Sequence, residues 1–165
     1  MKTNVRKLIL TSHITSAVGL LGAVAAFLTL AVAGLVSGDP QIVHAAYPAM
    51  KLVAWLVIVP LAFASLLIGA SQSLLTNWGL VRHYWVVAKL VLTVVAIAVL
   101  LAQMNTIGLL ADAAGGSKLM AGELRGMQVR LLIHGSGGLF VLVLATVLAV
   151  FKPEGLTPWA RNRAV

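Results

Sequence analysis

Leu8–Val36 reads LILTSHITSAVGLLGAVAAFLTLAVAGLV, with no Asp, Glu, Lys or Arg in it. At 1.5 Å per residue, a helix of that length more than crosses a hydrocarbon layer of ~30 Å. Three further runs share its character: Leu52–Ala70, Tyr84–Ala102 and Leu131–Phe151. The four make up just over half of the 165 residues, yet among the 16 charged residues only Lys89 falls inside one. Lys51, Arg82, Arg130 and Lys152 stand immediately outside. In lipid a spanning backbone must satisfy its own hydrogen bonds, so these runs are expected to be helices. No period-two alternation suggests a β-barrel. The predicted fold is all-α: a polytopic, antiparallel four-helix transmembrane bundle forming one domain over residues 1–165.

The rest of the composition agrees. The chain is 61% hydrophobic, which excludes an ordinary soluble domain and a disordered chain. Its net charge of +8 comes from cations at the edges of apolar runs. Such cations anchor span ends to headgroups, and without a stripe of interleaved aromatics they do not point to nucleic acid. The absence of cysteine excludes disulfides, thiolate metal sites and cysteine nucleophiles.

Segment order sets the expected topology. Lys2, Arg6, Lys7, Arg82, Lys152, Arg161 and Arg163 share one side, against Lys51, Lys118, Arg125 and Arg130 on the other. The positive-inside rule then puts both termini in the cytoplasm of a bacterial plasma membrane. The basic start and the Ala-Val-Ala at 23–25 resemble a signal peptide. The apolar run continues to Val36, too far for a signal-peptide core, so it is read as a retained span. Trp78, Tyr84 and Trp85 should anchor the inner face, and Tyr47 and Trp55 the outer. Gly38-Asp39-Pro40 should end the first helix, Asn77-Trp78-Gly79 should turn between the second and third, and Pro153 should stop the fourth. Pro60 should kink the second helix. Residues 103–128 are expected to be an outer loop, with Ala-Ala-Gly-Gly-Ser at 113–117 followed by a short interfacial helix.

Small residues recur at helical spacing: Ser12, Ser16, Gly19, Ala23 and Ala26; Ser65, Gly69 and Ser73; Gly137, Gly138, Ala145 and Ala149. Such stripes allow close helix contact in lipid, within the chain or with a partner.

Ionisable groups inside a bilayer are the default functional candidates. His13 and His83 belong to the inner side, and His134 to the outer part of the fourth span. The two layers should lie roughly 15–20 Å apart. His44 falls in an outer loop, where an imidazole is simply solvated. Histidines from different helices of a four-helix bundle can grip a haem, each with an orienting partner on its second nitrogen. Ser12, Ser16 or a freed carbonyl could serve His13. Gly137, Gly138, Val141 and Ala145 share the face of His134, leaving room for a flat ring or for a neighbouring helix. Lys89 can snorkel to the inner headgroups or face an anion such as a quinone oxygen or a haem propionate. The spans hold no acid, and the serines lack the Asp partner of a triad.

The stretch Trp78-Gly79-Leu80-Val81-Arg82-His83-Tyr84-Trp85, together with Pro60-Leu61-Ala62, Ser65–Gly69 and the tail Lys152–Pro158, resembles a family of small four-span membrane proteins common in actinobacteria. The likeness would cover nearly the whole chain. A looser similarity links it to copper-resistance D-type proteins and cytochrome b561-like bundles, which place histidines near helix ends. Many of those carry His…Trp-x-Gly in the first helix, where this chain has His13…Val18-Gly19 without the Trp. That family carries no activity to transfer, but histidines distributed across helix ends in a chain without buried acids point to a b-type haem-binding or electron-transfer protein, with His13, His83 and His134 as candidate axial ligands. A non-enzymatic membrane subunit packing with homo- or hetero-oligomeric partners is the alternative. Copper handling by His13 with Met50, Met104, Met120 and Met127 is the third reading.

Overall fold

The computed structural model describes residues 3–76, 79–114, 116, 121–153 and 155–161. Lys2, Asn77, Trp78, Lys118, Met120, Glu154 and Arg163, and part of the glycine stretch at 113–117, lie outside them. Four helices are long and apolar enough to cross a membrane. They are α1 (Thr3–Val36), α2 (Pro40–Leu74), α3 (Tyr84–Ala114) and α4 (Ala121–Phe151). A single turn, α5 (Pro158–Arg161), follows them. Contacts run from α1 to α2, α2 to α3, α3 to α4 and α4 back to α1. Short connections make sequence neighbours antiparallel, so the four form a closed up-down-up-down ring. The start of α1 and the end of α4 therefore lie at the same end of the bundle.

The helix ends follow local chemistry. Asp39 caps α2: its carboxylate accepts from the Gln41 N–H at 2.9 Å, and Pro40 follows at a position whose N–H would be unsatisfied anyway. Pro60 cannot donate back to the carbonyl four residues earlier. The backbone answers with a π-turn over Ala54–Ile58, in which the Val59 N–H reaches the Ala54 carbonyl. The helix irregularity expected at the proline therefore appears as a π-turn just upstream of it. Pro153 follows the end of α4 as the sequence indicates.

Two expected loops are largely helix. Residues 103–114 continue α3, and α4 already begins at Ala121, so most of the 103–128 segment is not an outer loop. Likewise α2 begins at Pro40, so His44 is an exposed helical residue rather than a loop residue. The cause is one-sided burial. Ala46, Tyr47, Met50 and Ala54 on α2, and Met104, Ile107, Leu110, Ala111 and Ala114 on α3, recur every three or four residues and fill the core at this end. Their outward faces mix exposed polar residues such as His44 with exposed apolar ones such as Ile42, Leu52 and Leu109, and Lys51 reaches Asp112 across the two helices at 3.3 Å. That pair is exposed on both sides, so Asp112→Asn should cost no more than about 1 kcal/mol. At 1.5 Å per residue these helices project beyond a ~30 Å hydrocarbon layer, which is why they can carry charge.

At the opposite end the tail folds back. The Thr157 N–H donates to the Arg82 carbonyl at 3.0 Å, and its hydroxyl donates to the Val81 carbonyl at 2.6 Å. The Tyr84 N–H donates to Gly155. Thr157 is buried, so its hydroxyl proton has no solvent alternative. Thr157→Val should therefore destabilise this end by about 1 kcal/mol. Hydrogen exchange at residues 155–161 should accelerate while the core amides stay protected. Unchanged exchange there would show that the hydroxyl does not hold the tail.

Candidate functional site

The small-residue stripes do two different things. On α1 and α2, and at Gly135 of α4, glycines are used for close packing. A Cβ at Gly69 would lie 2.8 Å from His13 Cε1, and one at Gly19 would lie 3.3 Å from Leu61 Cδ1. A Cβ at Gly34 would lie 2.7 Å from the Tyr47 ring, and one at Gly135 would lie 2.8 Å from Leu28. These glycines are spent inside the bundle. Gly137 and Gly138 are different, since a Cβ at either meets nothing within 4 Å. They line a cavity of about 410 Å³ with walls from all four helices.

The cavity walls are mainly apolar. Leu20, Val24 and Phe27 come from α1, Ile58 and Ala62 from α2, and Ile97, Leu100 and Ile107 from α3. Only Thr93, Gln103 and His134 contribute polar side chains. Val95, Val99 and Ile133 belong to the lining and are also exposed on the outer surface of the helices. The cavity mouth therefore lies between α3 and α4 on an exposed apolar surface of the bundle.

His134 sits near the middle of α4. Its Nδ1 is 2.7 Å from the Arg130 carbonyl one turn earlier. A carbonyl only accepts, so Nδ1 carries the proton, and in the neutral ring the Nε2 lone pair is left available. Of the three histidines expected to bind a ligand, only His134 lines the cavity.

His13 is placed elsewhere, packed on Gly69 in the α1–α2 contact with its Nδ1 buried and without a hydrogen-bond partner. The Ser65 backbone and Lys89 are its polar neighbours. Ser16 does not orient the ring, because its hydroxyl donates to the backbone carbonyl of His13 at 3.0 Å. His83 lies before α3, where its carbonyl accepts from the Val86 and Val87 N–H groups, and it bridges to Leu156 of the tail. Its ring centroid is 6.5 Å from that of Trp85. Lys89 Nζ lies 5.8 Å from the Trp85 ring centroid and is not part of the cavity wall, which suits the snorkelling reading.

A haem held between two histidines needs both at one cavity, and the lining supplies one. It also supplies no Lys or Arg for propionates. No two of the three histidines share the wall of this cavity. Among the described residues no group of three or more His, Asp and Glu could hold a metal ion. Met50 and Met104 are buried in the core at the far end from His13, so they do not form a copper site with it. Sequence reasoning singled out His134 and its bare glycine face but missed Gln103 and Thr93. Both are polar residues in an otherwise apolar span, which was the available signal. No protein-family model, curated protein or solved structure matches the chain.

Proposed function

We propose that this integral membrane protein binds a lipophilic ligand within the bilayer, in the cavity between its helices, with His134 as the polar contact. One observation carries the reading: a mainly apolar cavity of ligand size opens toward lipid, with one oriented imidazole on its wall. The proposed setting is the bacterial plasma membrane with both termini cytoplasmic, which the Lys and Arg distribution supports. A flat-ringed quinone-type molecule or an isoprenoid suits the shape left by Gly137 and Gly138.

A haem bound through His134 alone is the second reading. It is favoured by the Nδ1–H bond to the Arg130 carbonyl, an orienting contact commonly given to metal-ligating histidines. Docking of partner proteins on the glycine faces has less support, because Gly19, Gly34, Gly69 and Gly135 are occupied by side chains of this same chain.

Solvent extraction and mass spectrometry of the protein purified in mild detergent test the first reading. A lipophile should be retained near one equivalent, and His134→Leu should reduce it at least severalfold. A Soret band that disappears in His134→Leu would favour the haem instead. Purified protein with neither a retained lipophile nor a Soret band would sink both.

A further inference from the structure

The cavity is drawn out along the bundle, and a cation stands at one end of it. On α3 its lining runs from Leu92 to Ile107, roughly 22 Å at 1.5 Å per residue, and on α4 from Leu131 to Leu142, roughly 16 Å. A volume of about 410 Å³ spread over that length is a narrow slot parallel to the helices. No Lys, Arg, Asp or Glu belongs to its wall. Arg130 is the last charged residue before the charge-free run 131–151, and the next residue, Leu131, is the first of α4 on the cavity wall. Charge exclusion places such a residue at the edge of the hydrocarbon layer, level with headgroups. Arg130 is three residues from Ile133, which is exposed at the cavity mouth, so the two share a face of α4. Arg130 is itself exposed and has no ion-pair partner among the described residues. Lys89, near the other end of the slot, is turned instead to the Trp85 ring, with Nζ 5.8 Å from its centroid.

We infer that the slot holds one hydrocarbon chain of an anionic amphiphile whose phosphate or carboxylate pairs with Arg130. The inference rests on the cavity being a ligand site and adds the ligand's charge and its direction in the slot. The wall is nearly all apolar and supplies no counter-ion, so an anionic group is excluded from its depth and the chain alone enters. The head is then left at the Arg130 end, where a guanidinium offers a fork of donors matched to phosphate or carboxylate oxygens. The chain end points away from it, toward Leu92 and Leu142.

The test uses the full-length protein in phosphatidylcholine nanodiscs. The probes are hexadecyl phosphate and hexadecanol, each with a diazirine at the chain end, incorporated at equal mole fraction and photolysed. The phosphate should label the protein at least fivefold more than the alcohol, with the label mapping near Leu92 on α3 and Leu142 on α4. Arg130→Gln should lower phosphate labelling to the level of the alcohol and leave the alcohol unchanged, while Arg130→Lys should retain part of the preference. Gly138→Leu, which fills the slot, should abolish labelling of the slot by both probes. A free alkyl phosphate and a membrane phospholipid carry the same chemistry. Competition by phosphatidylglycerol in the disc supports the phospholipid as occupant, and labelling that it leaves untouched supports the free amphiphile. Equal labelling by phosphate and alcohol, both lost in Gly138→Leu, would overturn the anionic preference while leaving the cavity as a ligand site. A phosphate preference unchanged in Arg130→Gln, or chain-end label at the Arg130 end of the slot, would also overturn it. Absence of slot labelling by either probe would remove the ligand site and the preference together.

Discussion

Gly34→Val is expected to be the most destabilising single substitution in the helix packing, costing about 3 kcal/mol or more. A Cβ at Gly34 would stand 2.7 Å from Tyr47 Cζ, 2.8 Å from the hydroxyl and 3.0 Å from Cε2. The ring has little room to yield, because Tyr47 is only 3% exposed and belongs to the same cluster as Met50 and Leu110. Overpacking a dense interior costs about 1–3 kcal/mol for the first added carbons, and a β-branched side chain adds more. Gly34→Ala should fall in that lower range, partly offset by the ~0.5–1 kcal/mol that alanine gains over glycine inside a helix. Gly137→Ala receives the same propensity gain with open space around its Cβ and should be neutral or stabilising. Thermal unfolding in detergent distinguishes the three. In a double-mutant cycle, Tyr47→Leu should recover much of the loss in Gly34→Val, since the two positions are in contact. A Gly34→Ala protein as stable as wild type would show that α1 and α2 do not approach so closely here.

The second large effect concerns binding rather than folding. Gly138→Leu should reduce the retained lipophile by tenfold or more while the protein melts no lower than wild type. Gly138 lines the cavity, and a Cβ there meets no atom within 4 Å, so the new side chain can grow into empty space. It gains contacts that an unfilled void lacks and occupies the volume that a flat ring needs. Most cavity-lining substitutions weaken binding and stability together, so an opposite response of the two is diagnostic. If Gly138→Leu retained as much lipophile as wild type, bound molecules would be surface lipid and the cavity would not be a binding site.

These substitutions also show where sequence and structure part. The charge-free runs, the flanking cations and the turn at Gly38-Asp39-Pro40 are local, and each was legible because lipid forces an apolar segment to be a self-bonded helix. The continuation of α2 back to Pro40 and of α3 out to Ala114 was hidden from a reading of charge-free windows. Its signal was present in the three-to-four-residue spacing of Ala46, Tyr47, Met50 and Ala54, one buried helical face. Among candidate ligands, His134 with Gly137 and Gly138 was visible as one face of one helix, while Gln103 and Thr93 were not connected to it.

What the sequence determined by itself was the number and apolar character of the helices, because span length and charge exclusion answer to the bilayer and need no partner helix. What only the tertiary structure decided was which face of each helix meets which neighbour. A glycine reads the same whether a ring packs on it, as Tyr47 does at Gly34, or nothing does, as at Gly138. Likewise a histidine reads the same whether it is wedged between helices, as His13 is on Gly69, or turned to a cavity as His134 is. Those outcomes depend on the relative rotation of four helices. In lipid that rotation is set by the fit of side chains across every contact at once, which no single helix encodes.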